Sequence, residues 1–254
     1  MDHDVVRVQE MVRDAKAIAI LTGAGISTDS GIPDFRGPNG VWTKNPAAEK
    51  MSTLSHYVAD PEVRRNAWRS RRDHPAWTAQ PNAAHRALVE IERSGRLVRI
   101  VTQNIDGLHQ KAGSDPATVI EIHGTVHEAE CLTCDRRIPM SDALARVDAG
   151  EEDPACAECG GILKSATISF GQALVPSVLQ AAVDAAVSCD LFLAIGSSLT
   201  VHPAAGLSEV AVDHGAQLVI VNGQDTPYDA LAAAVLREPI GEVVPALVSS
   251  LAPA

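Results

Sequence analysis

Four of the five cysteines fall into two Cys-x-x-Cys pairs, Cys131 with Cys134 and Cys156 with Cys159, and 21 residues separate the pairs. This is close to the spacing of a zinc ribbon, in which two short turns each offer two soft thiolate ligands. Four thiolates close a tetrahedral shell and leave no position for water, so the metal predicted is a structural zinc, one per chain. His127 is near enough in sequence to replace a ligand, but the four cysteines suffice without it. Cys189 stands before an apolar run and reads as a small buried hydrophobe.

A second set of residues has the chemistry of nucleotide recognition. Thr22-Gly23-Ala24-Gly25-Ile26-Ser27 follows an apolar run, and its glycines would let backbone N–H groups approach a pyrophosphate at a helix start. Thr28 stands where the third glycine of G-x-G-x-x-G would be, so a strand-to-helix turn without a ligand is the competing reading. Gly31-Ile32-Pro33-Asp34-Phe35-Arg36-Gly37-Pro38 gathers a carboxylate, a ring and a guanidinium in one loop. Phe35 is suited to covering a reactive sugar and Arg36 to meeting a phosphate or carboxylate; a solvated Asp34–Arg36 pair beside a core-filling Phe35 is the alternative. In Thr102-Gln103-Asn104-Ile105-Asp106-Gly107-Leu108-His109, the groups Gln103, Asn104 and Asp106 can hydrogen-bond ribose hydroxyls and a carboxamide. His123-Gly124 ends the next apolar run, where an imidazole with an ordinary pKa of roughly 6.5 suits a general base. A lone histidine is more often structural, and its place at a strand end is what favours the base. Gly196, Ser197 and Ser198 form a small-residue turn able to contact phosphate or ribose, and Asn222 can reach a ribose or base edge. Either, taken alone, is an ordinary strand exit.

These groups share one kind of support. Short apolar runs at 17–21, 97–101, 119–122, 191–195 and 218–221 read as buried strands. Between them lie helical spacings such as Ala84, Leu88 and Ile91, and Val5, Val8 and Val12 near the start. Aromatic residues are only 3%, so aliphatic side chains must build the core, as in parallel sheets covered by helices. Strands alternating with helices predict an α/β, doubly wound, Rossmann-like parallel sheet, whose ligands sit at the carboxyl ends of the strands. Segments 33–80 and 127–166 break the alternation and are expected to form a smaller inserted lobe, part helical and part zinc ribbon, on a nucleotide-binding domain of residues 1–32, 81–126 and 167–254. A net charge of −11 argues against nucleic acid as a partner. No apolar run reaches the roughly 18 residues of a membrane span, and no secretory signal pattern opens the chain. A cytoplasmic, membrane-free protein is expected, in keeping with unpaired cysteines in a reducing compartment.

Taken together, 23–36, 102–109, His123-Gly124 and the four cysteines closely resemble the sirtuins, bacterial-type NAD-dependent protein deacylases, and the resemblance covers nearly the whole chain. It implies that Gly23, Ala24, Gly25, Ser27, Asp34, Phe35 and Arg36 bind NAD, helped by Gly196, Ser197, Ser198, Asn222 and Ile240. It implies that Gln103, Asn104 and Asp106 hold the ribose and nicotinamide, with Asn104 and Asp106 catalytic beside His123, the base. It further implies an acyl-lysine protein substrate entering between the lobes, contacting Ile105, Ile168, Phe170, Gly171 and Val201 and pairing its backbone as a strand. The products implied are free lysine, nicotinamide and O-acyl-ADP-ribose. The residues agree in one respect: a Rossmann dehydrogenase places an acidic ribose ligand about 20 residues beyond its loop, and Asp29 and Asp34 come too early. An NAD consumer is therefore expected rather than a hydride-transfer enzyme.

Two positions depart from the family pattern: Gln172 replaces a usual Glu, and Ser165 a common Pro. Some sirtuins that remove succinyl or malonyl groups carry Tyr-x-x-Arg, and the nearest match here is Trp68-x-x-Arg71, one residue out of step when anchored on Pro81-Asn82. Indole offers an N–H but no phenolic oxygen, so acetyl or another short neutral acyl group is expected, with acidic acyls poor. Two other functions remain open: an NAD-consuming ADP-ribosyltransferase or NAD hydrolase on the same site, and a zinc-ribbon interaction module with a vestigial nucleotide fold.

Overall fold

The computed structural model describes residues 3–35, 37, 40–44, 50–249 and 251. Helix α1 (His3–Asp14) leads to strand β1 (Ile18–Thr22), followed by a 3-10 turn over Ala24–Ser30. Then come α2 (Val41–Lys44), α3 (Leu54–Ala59), α4 (Pro61–Arg72) and α5 (Ala83–Arg93). Strand β2 (Leu97–Thr102), α6 (Leu108–Ala112) and β3 (Val119–Glu121) return the chain to the sheet. The second excursion holds β4 (Gly124–Cys131), β5 (Arg137–Pro139), α7 (Met140–Asp148) and β6 (Leu163–Thr167). The remainder is α8 (Pro176–Val187), β7 (Leu191–Ile195), α9 (Leu207–Asp213), β8 (Gln217–Val221), β9 (Ala234–Leu236) and α10 (Ile240–Val248).

The large sheet has the order β3-β2-β1-β7-β8-β9, and every neighbouring pair is parallel. Strands β1 and β7 are buried along their whole length because their side chains alternate between the two faces of the sheet and helices cover both. Ile18 and Ile20 pack with Val5, Val8 and Val12 of α1, Leu88 and Ile91 of α5, and Val243, Val244 and Leu247 of α10. Ala19 and Leu21 face the other way, onto Ala182, Ala185 and Ala186 of α8 and Leu207 and Ala211 of α9. The apolar runs read from the sequence as strands lie in this sheet. Four strands carry too little apolar signal to have been read: β5 and β9 are three residues long, β6 is short and carries Lys164 and Ser165, and β4 buries Val126, Ala129 and Cys131 across a break in register.

Chain order reverses between β1 and β7, and there the loops after the two strands touch backbone to backbone. Gly23 N–H donates to Ile195 O (3.0 Å) and Gly25 N–H to Gly196 O (2.8 Å). A Cβ on Gly23 or Gly25 would come within 2.7 or 2.8 Å of Gly196, and Gly196 itself has φ +66°, with Ile26 N 2.5 Å from its missing Cβ. The glycines therefore serve a close approach of two loops. The element that follows is the 3-10 turn rather than an α-helix, and the N–H groups of Gly23 and Gly25 are engaged with β7.

The second sheet, β5-β4-β6, is antiparallel. Its core is small: Trp68, Ala129, Met140, Ala143, Val147 and Leu163 close around Cys131 and Cys156. The four sulfur atoms lie within 4.8 Å of one another, with Cys131–Cys159 at 3.5 Å and Cys134–Cys156 at 3.7 Å. A Zn–S bond of about 2.3 Å makes tetrahedral edges of about 3.8 Å, so the sulfurs fit zinc.

Because the ligands are part of this core, metal and fold should be lost together. Cys131→Ser, or a strong chelator, is expected to remove the single zinc per chain and lower the melting temperature by roughly 10 °C or more; unchanged metal content or an unchanged melting curve would contradict this. Gly196→Ala forces a Cβ into a left-handed residue pressed against Ile26, and should destabilise by about 2 to 4 kcal/mol in urea unfolding. A change below about 1 kcal/mol would show that the loops can separate freely.

Candidate active site

A crevice of about 670 Å³ lies at the carboxyl ends of β1, β2, β7 and β8, walled on the far side by α4 and the segment after β6. It brings together the predicted Gly23, Ala24, Gly25, Ser27, Asp34 and Phe35 with Gln103, Asn104, Ile105 and Asp106. His123, Gly196, Ser197, Ser198 and Asn222 complete that side, and Ile168, Phe170, Gly171 and Val201 line the same space. The sequence names two further residues for this site. Arg36 lies outside the described residues. Ile240, at the start of α10, packs partly buried on the main core, because the helix turns its apolar face toward α1 and the sheet.

The loop after β2 is held by a web of hydrogen bonds. Asp106 is buried; one carboxylate oxygen accepts from Ser27 Oγ (2.7 Å) and the other from Leu108 N–H (2.9 Å). Burial pushes its carboxyl up, and those two donors oppose the shift. Asn104 Nδ2 donates to Gly23 O (3.1 Å) and Ser27 Oγ (3.2 Å), and Gln103 Nε2 donates to Ser197 Oγ (2.8 Å). The three polar side chains of the β2 loop thus tie together the loops after β1 and β7.

His123 stands between the two sheets. Its Nδ1 lies 3.1 Å from Gln103 O, and a carbonyl can only accept, so Nδ1 carries the proton and Nε2 is left as an acceptor. Burial lowers the His123 pKa, and the bond to Gln103 O partly restores it, so the ring is neutral near pH 7. Its own carbonyl accepts from Ile168 N–H (2.8 Å), which joins His123 to the segment carrying Phe170. That segment is anchored in turn by Phe170 N–H to Ser52 O (2.7 Å) and Leu54 N–H to Phe170 O (3.0 Å).

Several residues singled out in the sequence have other partners than the sequence could show, and Tyr57 was not singled out at all. His127 is no metal ligand here: its Nε2 donates to Asp106 O (3.0 Å) and its ring meets Trp77 edge-on at 5.6 Å. Arg71 lines the crevice and donates to Ser165 Oγ (3.0 Å), and burial pushes its pKa down to about 10. A proline at 165 could not accept that bond, so Ser165 and Arg71 belong together. Ser165 Oγ also pairs with Thr167 Oγ1 (2.9 Å). Gln172 closes its own turn, its Oε1 accepting from Ser169 N–H (3.2 Å). The Tyr57 hydroxyl donates to Leu163 O (2.8 Å), and Trp68 is buried in the small core.

Comparison with known proteins bears on this geometry. Residues 23–203 match the model of the Sir2 family. A protein of Streptomyces coelicolor named NAD-dependent protein deacetylase 2 is 56% identical over 234 residues, 92% of this chain and 97% of its own length. An NAD-dependent protein deacetylase of Sulfolobus acidocaldarius is 41% identical, covering 96% of this chain and 94% of its own. A Sir2 structure with a deacetylated peptide and 3′-O-acetyl ADP-ribose superposes with a TM-score of 0.89 at 32% identity, over 99% of this chain and 100% of that one. With a family match over most of its length and relatives this similar along nearly all of it, the chain belongs to the Sir2 family.

Proposed function

We propose that this protein is an NAD-dependent protein-lysine deacetylase that moves the acyl group to ADP-ribose and releases nicotinamide. The observation that carries the reading is the tautomer of His123, whose bond to Gln103 O leaves a neutral Nε2 acceptor in the crevice shared with Ser27, Asn104 and Asp106. Relatives named as NAD-dependent protein deacetylases and Sir2 structures with peptide ligands support it.

Bound NAD supplies an electrophilic ribose carbon and nicotinamide as leaving group. The work of this chain's residues follows from where they sit. Gln103, Asn104 and Asp106 orient the ribose and carboxamide edges; Gly196, Ser197, Ser198 and Asn222 line the end nearer β7 and β8. Phe35, exposed at the crevice, would cover the reacting carbon and exclude water once NAD is bound. Ile105, Ile168 and Phe170 flank the apolar stem of the acyl-lysine, and Gly171 and Val201 border its main chain. The acyl oxygen of the lysine would bond the ribose carbon as nicotinamide leaves, Nε2 of His123 would take the proton of a ribose hydroxyl as that oxygen bonds the acyl carbon, and water would complete the breaking of the acyl–nitrogen bond that frees lysine.

The acyl group is acetyl or similarly short and neutral. A distal carboxylate would meet Arg71, already bonded to Ser165, and no phenolic partner, since the Tyr57 hydroxyl is committed to Leu163 O and the Lys164 ammonium to Glu130 and Ser165 O. One such pair roughly offsets the desolvation of the carboxylate and gives no preference for acidic acyls.

His123→Ala should keep the fold and NAD affinity while lowering deacetylation by roughly 10²- to 10⁴-fold, and unchanged turnover would sink the assignment. In the wild type the neutral ring is the active form. Its pKa is lowered, so turnover should hold as the pH falls past the ordinary histidine value of 6.5 and decline only below it; an acid limb centred above 6.5 would contradict the buried neutral base. With matched peptides, acetyl-lysine should be turned over at least tenfold faster than succinyl-lysine, about 1.4 kcal/mol of discrimination. Faster succinyl turnover that Arg71→Met abolishes would show that Arg71 alone is a sufficient clamp.

A further inference from the structure

Two histidines outside the reacting crevice are fully buried: His85 in α5 and His109 in α6, with ring centres 5.1 Å apart. Each leaves one ring nitrogen without a hydrogen-bond partner among the described residues, Nε2 on His85 and Nδ1 on His109. Buried polar atoms in that state are uncommon and call for an account.

The hydrogen bonds around the pair assign their protons. Asn82 N–H donates to His85 Nδ1 (3.4 Å) within the capping box of α5, so the proton of His85 is on Nε2. On the other side, Thr22 Oγ1 donates to Thr102 Oγ1 (2.8 Å), which also accepts Asn104 N–H (3.1 Å). Having given its hydrogen to Thr102, Thr22 can only accept from His109 Nε2 (2.9 Å), so the proton of His109 is on Nε2 and its Nδ1 is an acceptor. The two orphaned atoms are thus a donor and an acceptor on neighbouring rings. In the structure the two atoms do not meet at hydrogen-bond geometry, the rings being tilted by 59°, but an N–H···N bond of about 2.9 Å would keep the ring centres about 5 Å apart, so the observed spacing admits it.

We propose that His85 and His109 form a neutral imidazole–imidazole relay, Asn82 N–H to His85, His85 Nε2–H to His109 Nδ1, His109 Nε2–H to Thr22, Thr22 to Thr102, which sets the main chain of Asn104. Both are positioning residues: neither lines the crevice, and they act on the cofactor loop through two buried hydroxyls at the ends of β1 and β2. A relay of this polarity requires both rings to stay neutral. Burial pushes His85 down to about 4, aided by Arg86, and His109 to about 3, aided by His85. The hydrogen-bond assignment is independent of the reaction; its consequence for NAD rests on the deacetylase reading.

Two measurements on the zinc-loaded full chain test this. Nitrogen-15 NMR of the histidine rings should find His85 and His109 both protonated at Nε2 from about pH 5.5 to 8, with a coupling between His85 Nε2 and His109 Nδ1. A His109 ring protonated at Nδ1, or no coupling between the rings, overturns the relay whatever the enzyme's substrate. Glutamine places an amide donor near the Nε2 position of histidine and leucine places none. His109→Leu should therefore weaken NAD binding roughly tenfold with acetyl-peptide affinity unchanged, and His109→Gln should stay within about threefold of wild type. Equal loss in both variants, or in neither, assigns His109 a packing role only and overturns its positioning role.

Discussion

The site depends on the contact between the loops after β1 and β7. A doubly wound sheet opens a crevice where its strand order reverses, and there the backbones of Gly23 and Gly25 lie on Gly196 with no room for a side chain. That contact fixes the carbonyl of Gly23, which Asn104 uses, and the place of Ser27, which Asp106 and Asn104 share. It also sets Ser197 where Gln103 reaches it. Three loops from three strands are locked by hydrogen bonds that all trace to one close approach of backbone.

The small lobe enters through the same loop. His127 on β4 holds the carbonyl of Asp106, and His123, at the junction of β3 and β4, donates to the carbonyl of Gln103. Four cysteines able to hold zinc close the far end of the sheet that carries β4, so a structural metal there would bear on where His123 stands.

Much of this was legible in the sequence for a definable reason. Parallel strands buried on both faces read as short apolar runs, and the polar residues that follow them fall at the carboxyl ends, where Gln103, Asn104, Asp106 and His123 are found. The four cysteines announce their cluster by spacing alone. What could not be read depends on partners distant in the chain. Gly23 and Gly25 looked like phosphate-facing residues, yet their N–H groups serve β7, because only the fold brings 196 to 23. The bond from Arg71 to Ser165, the reach of His127 to Asp106 and the pairing of His85 with His109 each join segments that carry no mutual pattern. Ile240 was named by resemblance alone, and its partly buried side chain packs against the main core through the amphipathic face of α10.

The central claim is that the crevice directs the acyl group onto ADP-ribose rather than onto water. The most direct measurement is mass spectrometry of a reaction of NAD with an acetyl-lysine peptide, quantifying nicotinamide, free lysine peptide and the acetylated sugar product. Equal amounts of all three are expected, with negligible nicotinamide when the peptide is left out. Nicotinamide release that proceeds at the same rate without peptide, yielding ADP-ribose with no acetyl group, would contradict it.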